Sequence, residues 1–242
     1  MGKILLVTGD KGGVGKSIVS RLLYDYLSLK NFTVGGYDCD KRNAQLYRHC
    51  GRRDDNKKLM TQTALDGISR IDISSDVGLG ILLDDLHSHK PDYALVDLPA
   101  SAHGLLEKTE AQFTFCEAAK GLDYSITLIH VLSRVKDSAY ALERLIDFFG
   151  DKATYIAVKN GFFGDEDRFR RFDKGPARDK IEEQKGKTIY IPDLYDDIID
   201  IIDEHNMTFR SAKHSDLLPF SLRHMVSTWI NRAFEQFEKA GV

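Results

Sequence analysis

Residues 3–30 read KILLVTGDKGGVGKSIVSRLLYDYLSLK, and this stretch decides the fold. Ile4-Leu5-Leu6-Val7 is an apolar run without a polar interruption, which predicts a strand buried on both faces over Lys3–Thr8. From Lys16 to about Lys30, Val19, Leu22, Leu23, Tyr26 and Leu27 recur at helical spacing and form one apolar stripe. A glycine-rich turn joins the two. Gly12, Gly13 and Gly15 let backbone N–H groups converge on an anion, and the start of the helix adds its partial positive charge. Gly15-Lys16-Ser17 ends a phosphate-binding loop: Lys16 would reach the β and γ phosphates, and the Ser17 hydroxyl would complete a Mg²⁺ shell. Asp10, however, stands where the pattern G-x-x-x-x-G-K-[ST] has its first glycine.

Outward from this unit, strand-length apolar runs alternate with helix-period segments, the pattern of a mostly parallel, twisted α/β sheet with helices on both faces. Strands are expected at Thr33–Tyr37, Tyr93–Asp97, Tyr124–Val131, Thr154–Val158 and Thr188–Ile191, the last closed by Pro192. Helices are expected at Ile81–His89, Asp137–Phe149, Tyr195–Glu204 and Leu222–Lys239, with a charged stretch between the last two strands. No repeat or low-complexity linker breaks the 242 residues, and 42% hydrophobic content suits one core, so a single domain over residues 1–242 is expected.

Composition excludes several classes. A formal charge of -3 carries no bulk signature of a nucleic-acid binder, so such a role needs a local basic patch. Cys39, Cys50 and Cys116 form no C-x-x-C pair and read as reduced cytosolic thiols. No run approaches the roughly 18 apolar residues of a membrane span, and the N-terminus does not look like a signal peptide. A soluble, cytoplasmic protein is expected.

With Lys11 included, the loop reads K-G-G-x-G-K-[ST], which resembles the deviant Walker A motif of the ParA/MinD family of P-loop ATPases. The resemblance implies that residues Lys11 to Ile18, including Val14, bind ATP, and that Lys11 crosses a nucleotide-sandwich homodimer to the partner's nucleotide, where a second cation would stabilise the transferring phosphoryl group. Two further segments extend it. GGYDCDKRNAQ, residues 35–45, is similar to the family's D-x-D switch I. This implies that Asp40 positions the attacking water and that Asp38 orders the Mg²⁺ and Lys16 environment. YALVDLPAS, residues 93–101, resembles the Walker B strand, which implies that Asp97 holds Mg²⁺ through water and that Pro99–Gly104 is switch II. Lys11, Lys16 and Asp40 are thus the candidate catalytic residues, with Ser17, Asp38 and Asp97 at the metal.

For the base, Asn160 in YIAVKNGFF matches the family position that bonds adenine, and Pro192 and Asp193 in IYIPDLYDD match the loop that lines it. Asn160 beside Gly161 is equally a turn signal. The cysteines exclude the iron-protein branch of the family, which needs two cluster ligands per subunit. Two positioning branches remain, one holding DNA and one holding membrane. The C-terminal stripe of Val226, Trp229, Ile230, Ala233, Phe234 and Phe237 would suit a membrane-surface helix, but Arg232 and Lys239 stand against Glu235 and Glu238, and such a stripe equally suits packing on the sheet. Residues 168–187, RFRRFDKGPARDKIEEQKGK, set eight bases against four acids; Arg168, Arg170, Arg171 and Lys174 are candidate contacts for nonspecific DNA, and a solvated loop is the alternative. Arg48, Arg52, Arg53, Lys57 and Lys58 form a second basic cluster, either a partner surface or solvated.

The expected function is a Mg²⁺-dependent ATPase switch that dimerises on ATP and holds DNA nonspecifically, as in plasmid partition or mobilisation. No strong general base is evident, so turnover is expected to be slow and stimulated by a partner protein. A membrane-positioning ATPase, or a metabolic P-loop ligase such as dethiobiotin synthetase, stands as the alternative.

Overall fold

A computed structural model of the chain describes residues 1–74, 78–100 and 102–242. In chain order its elements are β1 (Gly2–Gly9), α1 (Lys16–Leu29), β2 (Val34–Asp38), α2 (Gln45–Cys50), β3 (Ser69–Arg70), α3 (Gly78–His89), β4 (Tyr93–Asp97), α4 (His103–Phe113) and α5 (Phe115–Gly121). There follow β5 (Tyr124–Leu132), α6 (Lys136–Phe149), β6 (Thr154–Asn160), α7 (Arg170–Asp173), α8 (Pro176–Glu183), β7 (Lys187–Ile191), α9 (Asp196–Glu204), α10 (Phe209–Ala212) and α11 (Phe220–Ala240).

The strands form one seven-stranded sheet in the order β3-β2-β4-β1-β5-β6-β7. Every pairing is parallel, which goes beyond the mostly parallel sheet expected. Period-2 alternation sorts β1 between two cores. Ile4 and Leu6 join the layer of α3 to α8 on one face, and Leu5 and Val7 join α1, α9, α10 and α11 on the other. All four are at most 1% exposed, which is why the run carries no polar residue. The chain leaves β1 towards one edge and β5 towards the other, so a crevice opens where their C-terminal ends diverge.

Strand and helix boundaries match the expected ones to within a few residues, while α2, β3, α4 and α5 have no counterpart in the sequence reading. The charged stretch between β6 and β7 is a correction. It is no open loop but folds into α7 and α8, because Phe169, Phe172, Ala177 and Ile181 turn inward and are at most 1% exposed. The C-terminal stripe packs inward as well: Val226, Trp229, Ile230, Ala233 and Phe237 are buried against the sheet and α1. Among the described residues no helix is long and apolar enough to cross a membrane.

Candidate functional site

The loop after β1 carries two left-handed glycines, Gly13 at φ 78° and Gly15 at φ 96°. Gly15 gives α1 no side-chain cap, and the first turn of the helix holds no acid. Its backbone N–H groups are therefore left to an anion. Lys16 begins α1 and is 7% exposed; its Nζ donates to the Lys11 carbonyl at 3.2 Å. Burial pulls the Lys16 pKa below its ordinary value, against the opposing charges of Asp97, Asp40 and Asp10. Lys11 itself is exposed, and only its carbonyl turns inward.

Asp38 and Asp97 end neighbouring strands in direct register. Each is at most 2% exposed. The Asp97 Oδ1 accepts from Ser20 Oγ at 2.9 Å, whereas its Oδ2 is buried without a hydrogen-bond partner. Burial raises the Asp97 pKa to about 6, with the Ser17 and Ser20 hydroxyls pulling the other way. Asp38 is raised to about 7, first by burial and then by Asp97. Both Asp38 oxygens are committed to backbone: Oδ1 accepts from Asp40 N at 3.0 Å and Oδ2 from Tyr47 N at 2.9 Å. Asp38 thus pins the turn into α2, and Asp97 Oδ2 is left without a hydrogen-bond partner. Among the described residues no three His, Cys, Asp or Glu side chains form a preformed cage. A lone carboxylate and a hydroxyl fit Mg²⁺, which keeps several waters and relies on phosphate oxygens for the rest.

Asp40 Oδ1 accepts from the Arg42 and Asn43 amides at 2.9 and 3.0 Å, which holds the carboxylate at the rim. Behind the loop, His103 of α4 lies 5.4 Å from the His130 ring, and burial lowers their pKa values to about 4 and about 3, so both are neutral at pH 7. Ser101, inside the expected switch II, lies outside the described residues.

A cleft of about 370 Å³ runs from Gly12, Gly13, Gly15, Lys16, Ser17 and Ile18, past Asp40 and Ala100, to Asn160, Pro192 and Asp193. Asn160 takes the turn role, and both ends of its amide bond the chain's own backbone. Its Oδ1 accepts from Phe162 N at 3.1 Å and shapes the turn after β6, while its Nδ2 donates to the Val14 carbonyl at 2.8 Å and straps that turn to the phosphate loop. A Cβ on Gly15 would lie 2.3 Å from Asn160 Nδ2, and one on Gly161 would lie 2.4 Å from Asp193 N. The close approach of the three loops thus depends on these two glycines.

The cleft also contains residues that the sequence reading missed: Arg21, Gln45, Phe162, Asp203 and Trp229. Arg21 is 1% exposed, donates to Asp203 Oδ1 at 3.0 Å, and lays its guanidinium 4.3 Å from the Phe209 ring centre. Trp229 Nε1 donates to the Pro192 carbonyl at 2.6 Å, so α11 holds the loop expected to line the base. Arg21 follows Ser17 by one helical turn, and that spacing is the one signal that could have found it.

The candidate DNA contacts lie apart from the cleft. Arg168, Arg170, Arg171 and Lys174 are exposed, whereas Lys180 is taken by Asp147 at 2.6 Å and Glu143 at 3.0 Å, and Arg178 by Glu182 at 2.6 Å. The second basic cluster is tied into its own loop: Arg48 bonds Gln45, Arg52 bonds Asp66, and Arg53 bonds the Arg48 and Lys57 carbonyls.

Comparison with known proteins places this geometry. Residues 5–218 match the family model described as the CobQ/CobB/MinD/ParA nucleotide binding domain. Protein MobD of Acidithiobacillus ferrooxidans is 27% identical over 235 residues, covering 97% of this chain and 96% of MobD. The cell division ATPase MinD of Pyrococcus furiosus superposes with a TM-score of 0.55 at 18% identity, covering 99% of each chain. A Borrelia burgdorferi protein bound to AMPPNP, described as a "putative plasmid partition protein", reaches 0.56 at 17% identity, again over 99% of each chain. Likeness at that identity concerns the fold.

Proposed function

The chain belongs to the CobQ/CobB/MinD/ParA nucleotide-binding domain family, and on that premise we propose that it is a Mg²⁺-dependent ATP hydrolase working as a switch. ATP joins two copies of the chain, the dimer holds DNA without sequence preference, and hydrolysis releases it. One observation carries the nucleotide reading: an uncapped helix start and a buried lysine line the cleft, and Asp97, whose charge acts on that lysine, keeps a buried carboxylate oxygen without a partner. Gly12 to Ile18 cradle the phosphates, and Asn160, Pro192 and Asp193 face the base. Ser17 and Asp97 would hold Mg²⁺, with Asp38 adding charge and ordering the turn. Held there, the ion would supply positive charge against that developing on the phosphoryl oxygens. Asp40 positions water at the rim. No stronger base is assigned, so turnover of the isolated chain is slow and a partner protein accelerates it.

The exposure of Lys11 supports a role outside its own subunit, because its ammonium does not line the cleft that its carbonyl helps to build. Lys11→Ala is expected to abolish ATP-dependent dimerisation while monomer nucleotide binding survives. Light scattering with and without ATP checks this, and dimers at the wild-type level would remove the cross-subunit role.

The DNA reading rests on the row Arg168, Arg170, Arg171 and Lys174, whose cations have no strong intramolecular partner among the described residues; Arg168 only approaches Asp167 at 3.9 Å. The packing of the α11 stripe takes away the surface that a membrane reading would use. ATP-dependent retention on DNA, set against retention on anionic liposomes, tests the choice. Replacing Arg168, Arg170 and Arg171 with Ala is expected to weaken DNA retention and to reduce the salt slope by about 3, near one per lost phosphate contact. Unchanged retention would strike this row from the interface.

A further inference from the structure

We propose that the Phe162 ring is the platform on which the nucleotide base stacks, making Phe162 the residue through which the cleft selects an aromatic base over a bare phosphate chain. The inference rests on the nucleotide reading of the cleft. Phe162 is 60% exposed, and it lines the cleft together with Asn160, Pro192 and Asp193. Its backbone is held: its N–H donates to Asn160 Oδ1 at 3.1 Å, and Gly161 before it packs against the Asp193 amide. The side chain is held too. Phe163 meets it edge to face, with centroids 5.2 Å apart at 88°, and Phe163 packs on the core. The ring is therefore a rigid apolar face left open beside the site, which costs solvation unless a ligand covers it.

The other aromatic lining the cleft cannot serve. Trp229 is 5% exposed, its ring is met by Phe209 at 4.9 Å, and its N–H is committed to Pro192. Tyr195, though exposed, does not line the cleft. Asn160, two residues before Phe162, is bonded to the phosphate loop, so a ligand whose phosphates lie on that loop shares the cleft with the ring. A base is the group that gains there, because every base has a π face and stacking is indifferent to its hydrogen-bonding edge.

Calorimetric titration with ATP and with inorganic tripolyphosphate tests the assignment. Phe162→Ala is expected to weaken ATP roughly tenfold while changing tripolyphosphate by less than about twofold, and Phe162→Tyr to restore most of the ATP affinity. A purely structural role would weaken both ligands together. The assignment is overturned if Phe162→Ala leaves ATP affinity unchanged, if both ligands weaken equally, or if the wild-type chain binds ATP no more tightly than tripolyphosphate. A wild-type chain that binds neither ligand would overturn the nucleotide reading as well.

Discussion

Lys16→Ala is expected to lower ATP hydrolysis by about 10²–10³-fold, the scale on which one preorganised charge-stabilising donor acts in a desolvated site. Lys16 is the buried cation of the glycine-rich loop, 7% exposed and bonded to the Lys11 carbonyl at 3.2 Å. Asp97, Asp40 and Asp10 all act on it, so removing the ammonium leaves the negative charge of three carboxylates near the loop without this counter-charge. Repulsion then adds to the lost attraction. The fold should survive, because alanine is the strongest helix former and position 16 opens α1. Phosphate release, read beside circular dichroism, checks both halves of the statement. Hydrolysis near the wild-type rate in a folded variant would refute the role.

Trp229→Ala is expected to cost about 3–5 kcal/mol of stability, the range for emptying a large aromatic site in a packed core. For a chain of this size that is a fall in melting temperature on the order of 10 °C. Trp229 is 5% exposed, meets Phe209 at 4.9 Å and 70°, and donates to the Pro192 carbonyl at 2.6 Å. The substitution therefore opens a cavity between α10 and α11 and also releases the loop after β7. Trp229→Phe separates the two effects. It keeps most of the volume and drops the hydrogen bond, at about 1 kcal/mol, so weaker ATP binding with little change in melting would trace the loop to that bond. Thermal melts followed by circular dichroism and ATP titration of both variants provide the comparison. A Trp229→Ala chain that melts with the wild type would show that the site does not depend on α11.

Much of this protein is written locally. Four apolar residues before a glycine-rich turn, then a stripe at helical spacing, are enough for β1, the loop and α1, because backbone freedom and periodicity act over a few residues. The same logic explains where the reading stopped. In residues 168–187 the apolar side chains are few and the helices only 4 and 8 residues long, too short for a period to rise above the charges. β3 has two residues and is defined by its pairing with β2 alone. The turn at Asn160 and Gly161 was legible. Its attachment to Val14, 146 residues away, was not.

The sequence by itself determined the parallel α/β class, the glycine-rich loop that lines the cleft and the two carboxylates that finish β2 and β4, because each depends on residue type at a fixed local spacing. Only the tertiary structure decided the other end. Arg21 meets Asp203 across 182 residues, and Trp229 meets Pro192 across 37. Such pairs come together because packing on a shared sheet sets where separate elements arrive. No short-range pattern in the chain records that arrival.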